Sequence, residues 1–194
     1  KTAYRHFDEA VDLQELWKDE KKNSLYLYTH IPFCRMRCSF CNLFTVSNPD
    51  ADAVDLYLRQ LKIEAATMRD ILGDFSFAGY AVGGGTPSLL DAQQLDDLFS
   101  IYRNTLNVDL AGTPGSFEIS PETITDEKLQ LLSDLGIERI SIGIQSFIED
   151  EARSVGRYQT DNFIHPILEK IVSYQFPIFN IDLIYGIPNQ TAET

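Results

Sequence analysis

The chain has 194 residues and a mass of 22.0 kDa, room for one domain of ordinary size and a short appendage. Apolar residues make up 44% and charged residues 23%, which excludes a disordered tail, a fibrous repeat and a disulfide-dense miniprotein. With 16 basic against 29 acidic residues the net charge is −13, a surface that repels phosphate backbones and anionic headgroups and so speaks against nucleic-acid or membrane partners.

Residues 1–23 are strewn with charge and lack the apolar stretch of a secretory signal, although the chain begins at Lys1 rather than Met. They are expected to form a polar, helical extension in which Phe7 and Trp17 pack against a core domain spanning 24–194. No uncharged apolar run reaches the roughly 18 residues needed to span a bilayer, so a cytoplasmic protein is expected.

Residues 25–31, rich in aromatics and β-branched side chains, predict a first strand. A long loop follows, carrying Cys34, Cys38 and Cys41. Apolar positions Val54, Leu58, Leu61, Ala65 and Met68 then recur at three and four, predicting a helix over about 51–72. Residues 77–82 predict a second strand, which ends in Gly83-Gly84-Gly85. Asp91, with Gln94 three residues on, reads as the N-cap of a second helix. A short strand at 117–119 precedes a helix capped by Thr125 and ended by Gly136. A strand at 137–144, a helix over about 162–174 and a fifth strand at 178–184 complete the series.

Strands alternating with helices imply parallel pairing and right-handed crossovers. The fold expected is therefore α/β, a partial TIM-like (β/α) barrel cut off after about five strands. A full barrel needs roughly 250 residues, so the C-terminal part is expected to be missing, with an open parallel sheet as the alternative. Such a stop leaves a strand edge that invites another chain.

The three cysteines are an odd number within eight residues, which argues against a secreted disulfide framework and for metal ligation. Thiolates spaced C-x3-C-x2-C can reach three corners of a four-iron cube, leaving one iron open to an amino and carboxylate chelate. Part of a zinc site is the alternative, but zinc usually wants a fourth Cys or His and no second pair exists.

Together with that spacing, the segments YTHIPFCRMRCSFC, VGGGTPS, FEISPE, SIGIQSF and NIDLIYGIP resemble the radical S-adenosylmethionine (SAM) superfamily. Within it they are similar to the oxygen-independent coproporphyrinogen III oxidase-like branch, which includes haem chaperones and anaerobic haem-degrading enzymes. The resemblance runs from about Leu25 to Pro188 and implies a barrel of the radical SAM type. It also implies a [4Fe-4S] cluster on Cys34, Cys38 and Cys41, and SAM held by several further residues. Tyr28 and Phe40 match aromatic positions that contact SAM. Gly84, Gly85 and Thr86 match the glycine motif whose backbone meets its methionine amino end. Glu118, Gln145, Arg157 and Asp182 match further SAM-contacting positions.

Each carries a plainer alternative. The glycines would serve a simple turn, and the acids a salt bridge in the barrel mouth. Arg157, in a loop, would serve as an ordinary solvated arginine. Asp182 lies between Ile181 and Leu183, and an isolated buried acid costs several kcal/mol unless it is paired. His30 is expected to orient the cysteine loop by a hydrogen bond. His6 and His165 are expected on surface or helix, and Glu149-Asp150-Glu151 on a solvated helix face.

The resemblance implies reductive cleavage of SAM to a 5′-deoxyadenosyl radical, a small-molecule substrate of tetrapyrrole type, and a reductant such as flavodoxin or ferredoxin. The sequence departs from the oxidase at Leu43, where that enzyme carries a further cysteine. The departure points to the wider set of relatives, and a haem-binding chaperone is the alternative function.

Overall fold

The computed structural model describes residues 10–188 together with 190 and 191, so His6 and Phe7 lie outside the described residues. The elements run α1 (Leu13–Trp17), β1 (Leu25–Ile31), β2 (Phe33–Cys34), β3 (Val46–Ser47), α2 (Ala51–Leu72), β4 (Phe77–Gly84) and α3 (Ala92–Ser100). They continue with β5 (Gly115–Ile119), α4 (Asp126–Asp134), β6 (Arg139–Gln145), α5 (Glu149–Ser154), α6 (Asp161–Ser173) and β7 (Ile178–Leu183). Strands β1, β4, β5, β6 and β7 form one parallel sheet in that spatial order, the α/β arrangement expected from the alternation of strands and helices.

Register decides what each face of this sheet carries. Tyr28 pairs with Ala81, Ala81 with Ser116, Glu118 with Ser141 and Gly143 with Asp182. Side chains alternate between faces along a strand, so one face collects polar and small residues: Tyr28, His30, Gly83, Glu118, Ser141 and Asp182. The opposite face carries Ile31, Tyr80, Val82, Phe117, Ile140 and Ile142, all buried beneath the helices. The core on that side centres on an aromatic group. The Tyr80 and Tyr102 rings meet edge-on at 5.3 Å between centroids, and Phe99 lies 5.6 Å from Tyr102 and 6.2 Å from Phe117. Gly115 is small for the same reason, since a Cβ there would lie 2.2 Å from Tyr80 Cζ.

Helix boundaries follow the capping chemistry. The Asp50 side chain accepts from the Ala53 amide at the start of α2, and Gly73, at φ 71°, ends it. Asp91 and Gln94 form a complete capping box on α3, and the Thr125 hydroxyl accepts from the Lys128 amide to open α4. Gly136, at φ 75°, follows its last turn. Short α1 packs on α2, as expected of the helix bearing Trp17.

Three features go beyond the expected elements. The α3 helix runs on into a π-helical turn at Ile101–Thr105, which carries Tyr102 to donate its hydroxyl to Thr29 Oγ1 at 2.5 Å. The cysteine loop folds back so that β2 and β3 pair. A short α5 covers 149–154, and there one expectation is corrected. Glu151 is buried, not solvated, because its carboxylate accepts from Ser146 Oγ at 2.7 Å and Gln190 Nε2 at 3.2 Å.

Truncating Phe99 to Ala removes the centre of the aromatic group and is expected to cost about 3–5 kcal/mol in chemical denaturation. Asp91→Ala, which removes only the cap of α3, is expected to cost about 1 kcal/mol.

Candidate functional site

All five sheet strands are parallel, so their C-terminal ends and the loops after them gather at one edge. A cleft opens there. Its lining includes the three cysteines and Phe40 from the loop after β1, and Gly84, Gly85 and Thr86 from the end of β4. Glu118, Gln145, Arg157 and Asp182 complete it from β5, β6, the loop after α5 and β7. Of the residues matched to cluster ligands or SAM contacts, Tyr28 is the one not in this lining. It is 55% exposed and lines a neighbouring apolar groove with Trp17 and Leu61.

The cysteine loop is tied down at several points. Phe33 and Cys34 pair with Val46 and Ser47, and the Asn48 amide donates to the Cys34 carbonyl at 2.8 Å. His30 Nε2 lies 2.9 Å from the Phe44 carbonyl. A carbonyl only accepts, so Nε2 carries the proton and Nδ1 accepts from the Tyr28 hydroxyl at 3.3 Å. The expected orienting role of His30 is thus visible as a bond between strand and loop. On the far side the Ser39 amide donates to the Val155 carbonyl at 3.3 Å, and Gly156, at φ 81°, packs beside Cys38 and Ser39. Gly156 was not legible as a site residue, because the approach is made by a loop more than a hundred residues away.

The thiols are near one another. Burial pushes the Cys34 thiol up, the Thr86 hydroxyl 3.6 Å from its Sγ pulls it down, and Cys41 and Cys38 push it up again. Among the described residues, no three His, Cys, Asp or Glu side chains converge tightly enough to hold a single metal ion. A four-iron cube spreads its thiolates further apart than one ion does, and three thiols on one ordered loop facing a shared cleft fit its donor set.

Each glycine at the end of β4 clears a specific neighbour. A Cβ on Gly83 would lie 2.9 Å from the Glu118 carboxyl carbon, and one on Gly85 would lie 2.9 Å from Cys34 Sγ. Gly84 sits at φ 114° with the His30 ring 2.6 Å from where its Cβ would be. Its amide donates to Glu118 Oε2 at 3.2 Å. These are close approaches among strands and loop, which a simple turn would not require.

The polar side chains hold unspent capacity. Arg157 does not follow its plainer alternative of a solvated arginine: it is half-buried, Nη1 donates to Ser120 Oγ at 3.3 Å, and its Nε is buried without a protein partner. An N–H so placed beside a cleft fits an anionic or carbonyl ligand group. Gln145 is buried at φ 75°, a conformation that costs a non-glycine residue of order 1–3 kcal/mol and clusters at functional sites. Asp182 also departs from expectation. It is exposed on β7 and accepts from Asn180 Nδ2 at 2.6 Å. Burial raises the Glu118 carboxyl; the Gly84 amide opposes this, Asp182 adds to it and His30 opposes it.

A family model described as the Radical SAM superfamily matches residues 28–194, and the chain belongs to that superfamily. It is 34% identical over 188 residues to the oxygen-independent coproporphyrinogen III oxidase of Escherichia coli K12, covering 97% of this chain and 41% of that protein. It is 32% identical over 179 residues to the heme chaperone HemW of Lactococcus lactis, covering 90% of this chain and 44% of that protein. The solved structure of coproporphyrinogen III oxidase (HemN) from Escherichia coli, described as a radical SAM enzyme, superposes with a TM-score of 0.83 at 31% identity. That superposition covers 93% of this chain and 41% of the neighbour. The chain therefore spans less than half the length of these relatives.

A carboxyl whose folded-state pKa is raised opposes folding once it ionises. Glu118→Gln is accordingly expected to stabilise the protein at neutral pH, with the gain fading as pH falls through the raised folded-state pKa and gone once pH is below the ordinary glutamate pKa. Thermal melts of both proteins from pH 4 to 8 check it.

Proposed function

We propose that residues 24–194 are the core of a radical SAM enzyme, with residues 1–23 an appended extension, and that the cleft holds SAM against a [4Fe-4S] cluster on Cys34, Cys38 and Cys41. The observation that carries this is the meeting, in one cleft, of three thiols, a glycine-lined strand end and a buried arginine N–H with no partner. Cys34, Cys38 and Cys41 would hold the cluster, which, once reduced by an external one-electron donor, would supply one electron to the sulfonium of SAM for cleavage to methionine and a 5′-deoxyadenosyl radical that abstracts hydrogen from substrate.

The chain's own residues bind and orient. Gly84, Gly85 and Thr86 let backbone groups approach the amino end of SAM. Glu118 and Asp182 accept from its ammonium or ribose hydroxyls. Arg157 and Gln145 donate to its carboxylate or heteroatoms, and Phe40 offers an apolar face to the adenine. Tyr28, held by His30, takes the same kind of contact from beside the cleft. The helix-covered floor beneath these groups excludes water from one side of the site.

The relatives' names support a tetrapyrrole-type substrate, and the family chemistry supports a one-electron donor such as flavodoxin or ferredoxin. Reducing conditions for three clustered thiols support a cytoplasmic location; among the described residues no helix is long and apolar enough to cross a membrane. A haem-binding chaperone carrying cluster and SAM is the second reading. It is favoured by Leu43 and by 32% identity to a heme chaperone.

Anaerobically reconstituted full-length protein with dithionite and SAM is expected to release 5′-deoxyadenosine, and Cys34→Ala, Cys38→Ala or Cys41→Ala to abolish it. Absence of the nucleoside from protein with full iron and sulfide contradicts the enzyme reading. A stable Soret shift on titration with haem, without that release, favours the chaperone.

A further inference from the structure

Ser120 and Thr123 in the cleft wall belong to a polar chain that runs on to Ser88 and Lys128, and the reading above uses neither of those two residues. Lys128, in the first turn of α4, sends its ammonium inward rather than to solvent. It donates to the Ser88 carbonyl at 2.7 Å and to the Thr123 carbonyl at 2.9 Å. Those carbonyls belong to the two loops that carry the ligand-facing groups, the first running on from Gly84-Gly85-Thr86 and the second from Glu118.

Between them the donors run in a consistent direction. The Thr123 hydroxyl donates to the Ser120 carbonyl at 3.3 Å, and the Ser88 hydroxyl meets Thr123 Oγ1 at 2.5 Å. The Ser120 amide in turn donates to Ser88 Oγ at 3.0 Å. Ser120 then supplies, through its own hydroxyl, the acceptor for Arg157 Nη1 at 3.3 Å. Ser88 is fully buried, and Ser120 and Thr123 nearly so.

We infer that Lys128 is a positioning residue for the SAM site: by clasping the loops after β4 and β5 it sets the glycine motif, and through Ser120 the Arg157 guanidinium, in the arrangement that receives the ligand. The inference rests on the proposed SAM site. Lysine suits the task because its three donors radiate from one point and its stem packs through apolar surroundings. Methionine matches the stem and leaves both carbonyls unsatisfied, whereas glutamine keeps a shorter, neutral donor.

The test compares wild type, K128M and K128Q as full-length protein. In metal-free protein, hydrogen exchange of amides 84–90 and 118–123 is expected to speed up about tenfold in K128M, with strand amides 25–31 and 139–145 unchanged. In reconstituted protein, half-saturation by SAM is expected to rise about tenfold while the rate of 5′-deoxyadenosine release at saturation stays within about threefold. K128Q is expected to fall between, and decides alone if K128M does not fold. Variants that match a SAM-responsive wild type in both measures overturn the role of Lys128 and leave the site reading intact. A wild type indifferent to SAM overturns both.

Discussion

Parallel register is the constraint on which the rest depends. Because five strands run the same way, every strand end and its following loop reach the same edge of the sheet. Because side chains alternate, the face that does not meet the helices is free to be polar. Tyr28, His30, Glu118, Ser141 and Asp182 would be ruinous on the other face. Here they stand across from small residues, Ala81, Gly83 and Gly143, that keep room for a ligand. A slip of one residue in any strand would exchange the two sets.

The cleft holds several groups short of their best state. Gln145 sits in the left-handed region, Arg157 Nε lacks a partner, and Glu118 is held above the usual carboxylate pKa. A buried aromatic core and well-capped helices offset these costs. The same pattern, stability spent locally where binding is needed, is the ordinary trade at functional sites. Tyr80 adds a different cost: its hydroxyl is buried without a partner and burial pushes its pKa up to about 12, and nothing in the cleft explains it.

Much of the fold was legible because local chemistry and global role agree. The span 51–72 was readable from its period, and Asp91, Thr125 and Gly136 from capping rules, and all of these hold in the structure. The cleft was largely legible through residues that stand at strand ends. What was hidden depends on contacts distant in sequence. Glu151 looked like one of three solvated acids until the fold brought Ser146 and Gln190 to it. Gly156 beneath Cys38 and Lys128 across two loops carry no local signature. Asp182 was judged by its apolar neighbours in sequence, whereas its side chain is exposed and meets Asn180 two residues back on the same face of β7.

The proposed function requires direct contact between SAM and a cluster held by Cys34, Cys38 and Cys41. Electron–nuclear double resonance on the reduced, anaerobic full-length protein, using SAM labelled at its carboxylate with a magnetic oxygen isotope, reads that contact. Hyperfine coupling from the label, absent when any one of the three cysteines is replaced, is the predicted result. A cluster signal that SAM leaves unchanged, in protein with full iron and sulfide, contradicts the account.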